Sequence, residues 1–415
     1  MVVPYYAPDL GPSAPLFTML SEALVKRGHQ VTAITTVPHY PSGQVADDFT
    51  ARGTRSTQEN GVNVIRVGLP SVMRSNLALR LFQFFIYQVG AVWASRGLQY
   101  DAVFVANPAL WVWLPFTWLV VLRRKPAIFS VHDLYPEVGI QLGIFRNKAV
   151  ISAVTSLERF CLNHSNLVRI LSDSFRSGLH ALGVTEEKMV LIYDWVDTEL
   201  IRPIPRDNHF TRENDLSDYF VVLYAGNIGL SQGLEHVLTA AELLKDQSEI
   251  RFVFVGDGAV REQLVSIAKG KKLSNVQFLP FQPRQRLPEV LSCADVSLVS
   301  LKRGIGSGSL PSKTFSILAS GRPILACVDE NSDTWNLVRR SESGLCLPPE
   351  DPKQLAEAIL NLKQNVNLRQ RLGKNGRSWA EKYHSPQSAA EQFEVLFESI
   401  LKANRSKIVG QDLSQ

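Results

Sequence analysis

The chain has little cysteine and no strong charge of either sign. Its 415 residues hold four cysteines, Cys161, Cys293, Cys327 and Cys346. None lies in a C-x-x-C pair, and the spacings suit neither a zinc site nor a disulfide-stapled small domain. Buried, reduced thiols in a reducing compartment are expected, and no metal site. Lys plus Arg number 44 and Asp plus Glu 39, a formal net charge of +5. That excess is too dilute for a dedicated nucleic-acid binder, which concentrates a basic face. The start, Met-Val-Val-Pro, has neither a basic n-region nor an apolar h-region, so no secretory signal is expected. The longest apolar run, Ala109 to Leu122, is 14 residues and contains a proline. A spanning helix takes about 20 residues.

What remains is ordinary globular composition, 45% hydrophobic and 20% charged. At roughly 100–200 residues per domain the length predicts two or three domains. The charge is unevenly placed. Between Arg52 and Lys125 nine basic residues face only Glu59 and Asp101, a local +7 that leaves −2 for the rest. The same stretch carries Phe- and Trp-rich runs. Basic residues attract anionic lipid and aromatics suit its interface, which predicts peripheral membrane contact. A buried domain helix is the plainer alternative.

Short β-branched runs at residues 31–37, 62–68, 102–107, 127–133 and 167–172 read as buried strands. Helical patterns at 16–27, 75–94 (capped by Ser75 or Asn76) and 149–163 lie between them. The polar segment 204–218 then interrupts, and the alternation restarts with strands at 219–226, 250–256, 276–281, 296–301, 323–328 and 344–348. Helices at 234–244, 260–268, 313–319, 351–362, 368–383 and 386–402 complete the pattern. Strand–helix alternation implies parallel sheets covered on both faces. Two doubly wound, Rossmann-like α/β domains follow, 1–200 and 201–385, with a C-terminal helix and polar tail at 386–415. Ligands of such sheets bind at the carboxyl ends of the strands, and a cleft between domains is the default site.

Three segments carry candidate chemistry. Residues 224–235, YAGNIGLSQGLE, follow a strand and open a helix. Gly226, Gly229 and Gly233 allow close backbone approach, and the helix start offers N–H groups to an anion. The spacing matches neither the dinucleotide nor the P-loop fingerprint. Residues 304–326 run from a Gly/Ser loop through Pro311 and Ser312, a potential cap, into a helix with Lys313 in its first turn. A cation there opposes the helix dipole, which suggests a place kept for an anionic ligand. His132 and Asp133 stand at a strand's carboxyl end, where the imidazole could exchange a proton with a sugar oxygen and the carboxylate could orient it or bind hydroxyls. Gly11, in YYAPDLGP, would set backbone at the cleft floor. Tight turns, an exposed lysine and a structural histidine are the competing readings.

Taken in order, YYAPDLGP, LSEALVKRGHQVTAITTVPHYPSG, VHDLYPE, DWVDTELIRP, YAGNIGLSQGLE and LPSKTFSILASGRPILA resemble bacterial glycosyltransferase family 4, of the GT-B fold. The resemblance covers nearly the whole chain and is nearest the colanic-acid or N-acetylfucosaminyl transferase branch. It implies retaining transfer of a hexosyl or N-acetylhexosaminyl group from a nucleotide diphosphate sugar, UDP-linked, without a cofactor. The acceptor would be a lipid-linked or polysaccharide glycan on the N-terminal domain, reached from the cytoplasmic membrane face. Carried over by position, Gly11, Gly226, Asn227, Gly229 and Lys313 would meet the diphosphate. Gly308, Ser309, Leu310, Pro311, Ser312 and Ser316 would meet the donor sugar and ribose, and Gly256 and Phe281 the nucleobase. Fixed donors and positive charge at the leaving diphosphate would supply the main catalytic effect.

The chain departs from that family in its donor loop. The usual pair of glutamates is replaced by Gly308 and Ser316, and the usual Arg and Lys of the diphosphate loop by Asn227 and Gln232. Positive charge must come from Lys313, or from Lys302 and Arg303. The N-terminus is also several residues shorter than the resemblance implies. A nucleotide-sugar epimerase of the same architecture and a non-catalytic homologue are the alternative readings.

Overall fold

The computed structural model describes residues 1–412 apart from 41, 73–76, 142 and 306–309. The expected helix caps Ser75 and Asn76, and the site positions Gly308 and Ser309, lie outside the described residues. The chain forms two compact units, Met1–Tyr193 with Ala389–Gln415, and Asp194–Ser388. The division thus comes earlier than residue 200. The Val196 amide donates to the His384 carbonyl at 2.8 Å and Arg377 to the Thr198 carbonyl at 3.1 Å, so this segment is tied into the second unit. The C-terminal helix, Pro386–Asp412, contributes to the first: Phe393 meets Phe104 edge-on, and Glu394 pairs with Arg27.

In the first unit the strands are β1 (Thr32–Thr36), β2 (Thr54–Glu59), β3 (Val62–Val67), β4 (Val103–Ala106), β5 (Ala127–Val131), β6 (Leu167–Ile170) and β7 (Met189–Leu191). They pair in the orders β1-β3-β2 and β4-β5-β6-β7. Val2 bridges the two sets, in parallel with both Ile34 and Val105. All neighbours are parallel except β2, which runs antiparallel to β3. An all-parallel sheet was expected. The sequence TRSTQE lacks an apolar face because β2 is a largely exposed edge strand.

In the second unit β8 (Phe220–Ala225), β9 (Ile250–Val255), β10 (Val276–Leu279), β11 (Val296–Ser300), β12 (Ile324–Cys327) and β13 (Gly344–Leu347) form one parallel sheet, order β10-β9-β8-β11-β12-β13. The strand order reverses between β8 and β11, which is where a doubly wound sheet opens a crevice at its carboxyl end. Tyr224, Phe252 and Phe254 are fully buried beneath the flanking helices. Each such ring contributes on the order of 1.5–3 kcal/mol by leaving water.

The Trp-rich run is mostly core, with only Leu122 at its end exposed. It forms the helix Ala109–Phe116 and a π-helical turn Thr117–Leu122, with Trp111, Val112, Phe116, Leu119 and Val120 buried in the first unit's core. No helix among the described residues is long and apolar enough to cross a membrane. All four cysteines are free; burial pushes the thiols of Cys293, Cys327 and Cys346 up to about 12, which leaves them inert.

Candidate active site

The second unit builds an anion-friendly crevice at the switch between β8 and β11. After β8, Gly226 turns with φ 135°, and its amide is held by the Val255 carbonyl at 2.9 Å. A Cβ at Gly256 would lie 2.1 Å from the Gly226 carbonyl oxygen, and one at Gly258 2.4 Å from that of Ile228. The ends of β8 and β9 therefore touch backbone to backbone, and only glycine permits it. Gly256, expected at the nucleobase, has this packing duty. Phe278 stacks on Phe254 at 4.9 Å, whereas Phe281 beyond it is 73% exposed and open to a ligand's ring.

The loop is stitched to the next strand. The Ser300 hydroxyl donates to the Gln232 carbonyl at 2.6 Å and the Lys302 amide to the Ser231 carbonyl at 2.8 Å. The amides of Asn227 and Gly229 donate to no partner among the described residues. Unpaired amides on a glycine loop are what a phosphate oxygen takes.

Lys313 joins this loop from 87 residues away along the chain. It opens the helix Lys313–Ser320, and its ammonium donates to the Tyr224 hydroxyl at 2.6 Å while standing 3.8 Å from that ring's centre. A Cβ at Gly226 would be 3.2 Å from Lys313 Nζ, so loop and lysine share one spot. Removal from water lowers its pKa to about 7. Tyr224 donates in turn to the Asn227 carbonyl at 2.6 Å. Ser312 does not cap this helix. Its own backbone is already helical, φ −57° and ψ −26°, and its hydroxyl makes no cap bond. Leu310, Pro311 and Ser316 are half-buried around the helix start, and Ser312 is exposed.

In the first unit the carboxyl end of β5 carries His132. Its Nε2 lies 3.1 Å from the Ser130 hydroxyl, and its ring meets Phe17 edge-on at 5.2 Å. Arg169, fully buried, donates to Ser130 Oγ at 3.3 Å and to the Ile192 carbonyl at 2.7 Å. A guanidinium can only donate, which leaves the Ser130 hydroxyl proton for His132. The Asn107 side chain accepts from the His132 amide at 2.9 Å and donates to the Asp133 carbonyl at 2.6 Å. Asp133 itself is exposed, and its carboxylate pairs with nothing among the described residues. The group touching the imidazole is Ser130 rather than Asp133.

In the same unit, buried Asp9 ties two loops together. Its carboxylate accepts from the amides of Gly11 at 2.7 Å and His39 at 2.8 Å. The Gly11 amide is thus engaged within its own loop, and a Cβ there would press 2.4 Å from the Tyr5 ring. Tyr5 stacks on His39 at 5.6 Å and contacts Tyr40 and Trp111. With Phe84 and Arg80 these rings line a small aromatic pocket. The expectations from sequence missed Asp9, Asn107 and Arg169. A lone Asp in a loop and an Arg inside a β-run signal nothing until the fold pairs them.

The helix Leu77–Ser95 is apolar on its exposed side as well as on its buried one. Phe82, Phe85, Val89 and Trp93, spaced three, four and four apart, form one exposed stripe, extended by Arg96 over Trp93 at 4.3 Å. Its buried face puts Phe84, Tyr87 and Ala91 in the core beside Gln83 and Gln88, and Gln83, Tyr87 and Gln88 bond to the carbonyls of Pro70, Val3 and Leu110. Arg123 braces the helix end through the Leu98 carbonyl at 3.0 Å.

Two Rossmann-like units, one bearing a glycine-and-lysine anion crevice and the other a strand-end histidine, define a GT-B glycosyltransferase. The chain belongs to glycosyltransferase family 4: residues 13–195 match the glycosyl transferase 4-like domain and residues 205–379 the glycosyl transferases group 1 model. It is 27% identical over 381 residues to WcaI of Escherichia coli K12, named as a colanic acid biosynthesis glycosyl transferase, covering 88% of this chain and 93% of that one. WbjE of Pseudomonas aeruginosa, named as a glycosyltransferase, is 25% identical over 79% of this chain and 81% of its own. The solved structure of Anabaena HepE in complex with UDP superposes with a TM-score of 0.70 at 15% identity, covering 96% of this chain and 99% of that one, a likeness of fold.

Proposed function

We propose that the chain transfers a sugar, with retention of configuration, from a UDP-linked donor to a lipid-linked glycan acceptor in bacterial surface-polysaccharide assembly, while resting on the cytoplasmic membrane face. The observation that carries this is the convergence of Lys313, Tyr224 and the unpaired amides of Asn227 and Gly229 on one spot at the sheet's switch point. Such a set stabilises negative charge building on a departing diphosphate. The exposed Phe281 offers a stacking face for the base. Without the glutamate pair, the ribose must be held by neutral groups such as Ser316. The first unit supplies the acceptor side: His132, oriented by Ser130 and Asn107, handles the proton of the sugar hydroxyl. The exposed stripe of Phe82, Phe85, Val89 and Trp93 and the neighbouring Arg96, Arg123 and Arg124 support membrane docking. The name of WcaI supports a place in polysaccharide assembly.

The test is a thermal-shift panel of UDP, GDP, ADP and dTDP, followed by NMR of the preferred donor with and without lipid diphosphate-linked acceptor. UDP should stabilise most, by about 2.7 kcal/mol at a hundred times its Kd. The sugar should move only when acceptor is present and should keep its anomeric configuration. Isomerisation of donor alone would make the protein an epimerase, and no consumption of any nucleotide sugar would make it non-catalytic.

A further inference from the structure

A second cationic cavity lies in the same unit at the other end of the sheet. It measures about 480 Å³, and its rim includes Pro323, which leads into β12, and Asp295, which leads into β11. These are the amino ends of strands whose carboxyl ends face the glycine loop. Arg322, Arg369, Lys374 and Arg377 line it, against the single carboxylate of Asp295. Asp295 is already committed to the Arg206 guanidinium at 3.1 Å and the Val221 amide at 2.9 Å. Arg377 pairs with Glu381 at 2.7 Å. Arg322, Arg369 and Lys374 have no carboxylate within ion-pair distance among the described residues, and Asp295 attracts Arg322 only from farther off. Arg322 donates only to the Ile204 carbonyl at 3.3 Å, and its Nε is buried without a partner. Arg369 is held by the Lys363 carbonyl at 2.8 Å and by the Phe220 ring.

Arg322, Arg369 and Lys374 crowd round one cavity whose single carboxylate, Asp295, is shared with Arg206, so positive charge is left in excess there. Two of them are guanidiniums, whose planar donor sets fit phosphate oxygens. Pro203, Pro323 and Val366 give the same cavity an apolar wall, which suits a carbon skeleton carrying the phosphate. We propose that this cavity binds a phosphate monoester, such as a sugar phosphate, as an anion site separate from the donor crevice.

Isothermal titration of the full-length protein with glucose 6-phosphate and with inorganic phosphate, at constant ionic strength set by chloride, tests it. Both probes should bind saturably, and the ester should bind more tightly if the apolar wall contributes. Lys374→Glu should weaken both by about tenfold or more, since it replaces one charge-assisted contact by repulsion. Lys374 is exposed and bonds to nothing among the described residues, so this variant should fold. Arg322→Gln should weaken both as well. Lys313→Ala should leave both unchanged while impairing UDP binding. Absence of saturable binding at millimolar probe overturns the proposal, as does binding that Lys313→Ala removes and Lys374→Glu keeps. The donor crevice stands or falls separately, on the UDP titration of the same variants.

Discussion

The Lys313 ammonium donates to the Tyr224 hydroxyl at 2.6 Å while resting 3.8 Å from the centre of that ring. Tyr224 supplies both a hydrogen bond and an aromatic face, yet no carboxylate. The charge is therefore held in a place that disfavours it until an anion arrives. Removal from water lowers the lysine to about 7, below its ordinary 10.5. A diphosphate beside it would restore the charge. UDP binding at pH 8 should take up about one proton, seen as a binding enthalpy that changes with the buffer's ionisation enthalpy. Lys313→Met should abolish that dependence and weaken UDP at least tenfold, about 1.4 kcal/mol. The stability sign follows from the same numbers. Between about pH 7 and 10.5 the unfolded chain binds a proton that the folded chain does not, so stability without ligand rises with pH across this window. The gain in Tm from Lys313→Met should grow as pH falls toward 7. A flat difference would mean the lysine is already charged.

His132 and Asn107 make a separable pair of predictions. His132→Ala should lower kcat by about 10²–10⁴-fold, as loss of a proton-handling group does, with UDP affinity unchanged. Asn107→Ala removes the bonds to the His132 amide and Asp133 carbonyl, at a cost of about 1–3 kcal/mol in stability. It should lower kcat more than it alters KM. Asn107→Asp keeps the acceptor for the His132 amide and should recover part of the loss. An Asp variant no better than Ala would remove Asn107 from the positioning role.

Gly256→Ala puts a methyl group where the Gly226 carbonyl already stands, 2.1 Å away, at a backbone φ of 144°. Both effects are unfavourable, and the strand ends must separate. Destabilisation of about 1–3 kcal/mol is expected. Because the displaced carbonyl belongs to the glycine loop proposed to hold the diphosphate, UDP affinity should fall along with Tm. Gly270→Ala, where nothing lies within 4 Å, is the control.

The parallel strands were readable from their β-branched runs because burial on both faces leaves a continuous apolar signature. β2 was not, because an exposed edge strand needs no apolar face. The glycine loop and Lys313 were readable as separate anion-friendly segments, but Tyr224, which links them, reads in sequence as one more strand residue. Asp9 and Arg169 act through partners 30 and 39 residues away, and periodicity does not report such pairings. The Trp-rich run misled for the opposite reason: composition marks it as apolar, and only packing shows that it is core and that Phe82 to Trp93 is the exposed stripe.

That stripe can be tested without disturbing the fold. Phe82, Phe85 and Trp93 are more than half exposed, so replacing all three by Ser should leave Tm nearly unchanged. The wild-type protein should float with vesicles containing anionic lipid and much less with zwitterionic ones, and the triple variant should stay behind. Activity on a short water-soluble acceptor should survive in the variant, whereas activity on vesicle-embedded acceptor should drop. Equal flotation of both proteins would dismiss the helix as the membrane contact.

Glu158 shows how the fold holds the start of the helix Ala109–Phe116, next to Asn107. Its carboxyl is buried and accepts from the Ala109 amide at 2.8 Å. Burial pushes it up to about 8, and the amide only partly offsets that. Between about pH 4.5 and 8 the folded chain keeps a proton that the unfolded chain has lost, so this residue makes stability fall as pH rises through that window. Glu158→Gln preserves the acceptor and removes the ionisation. It should be near neutral at pH 4.5 and increasingly stabilising toward pH 8, read as a widening Tm difference. Glu158→Leu removes the acceptor and strands the Ala109 amide, so it should destabilise by about 1–3 kcal/mol relative to the Gln variant. If Gln and Leu behaved alike, the carboxyl would be filling space rather than holding the helix start that leads into Asn107 and His132.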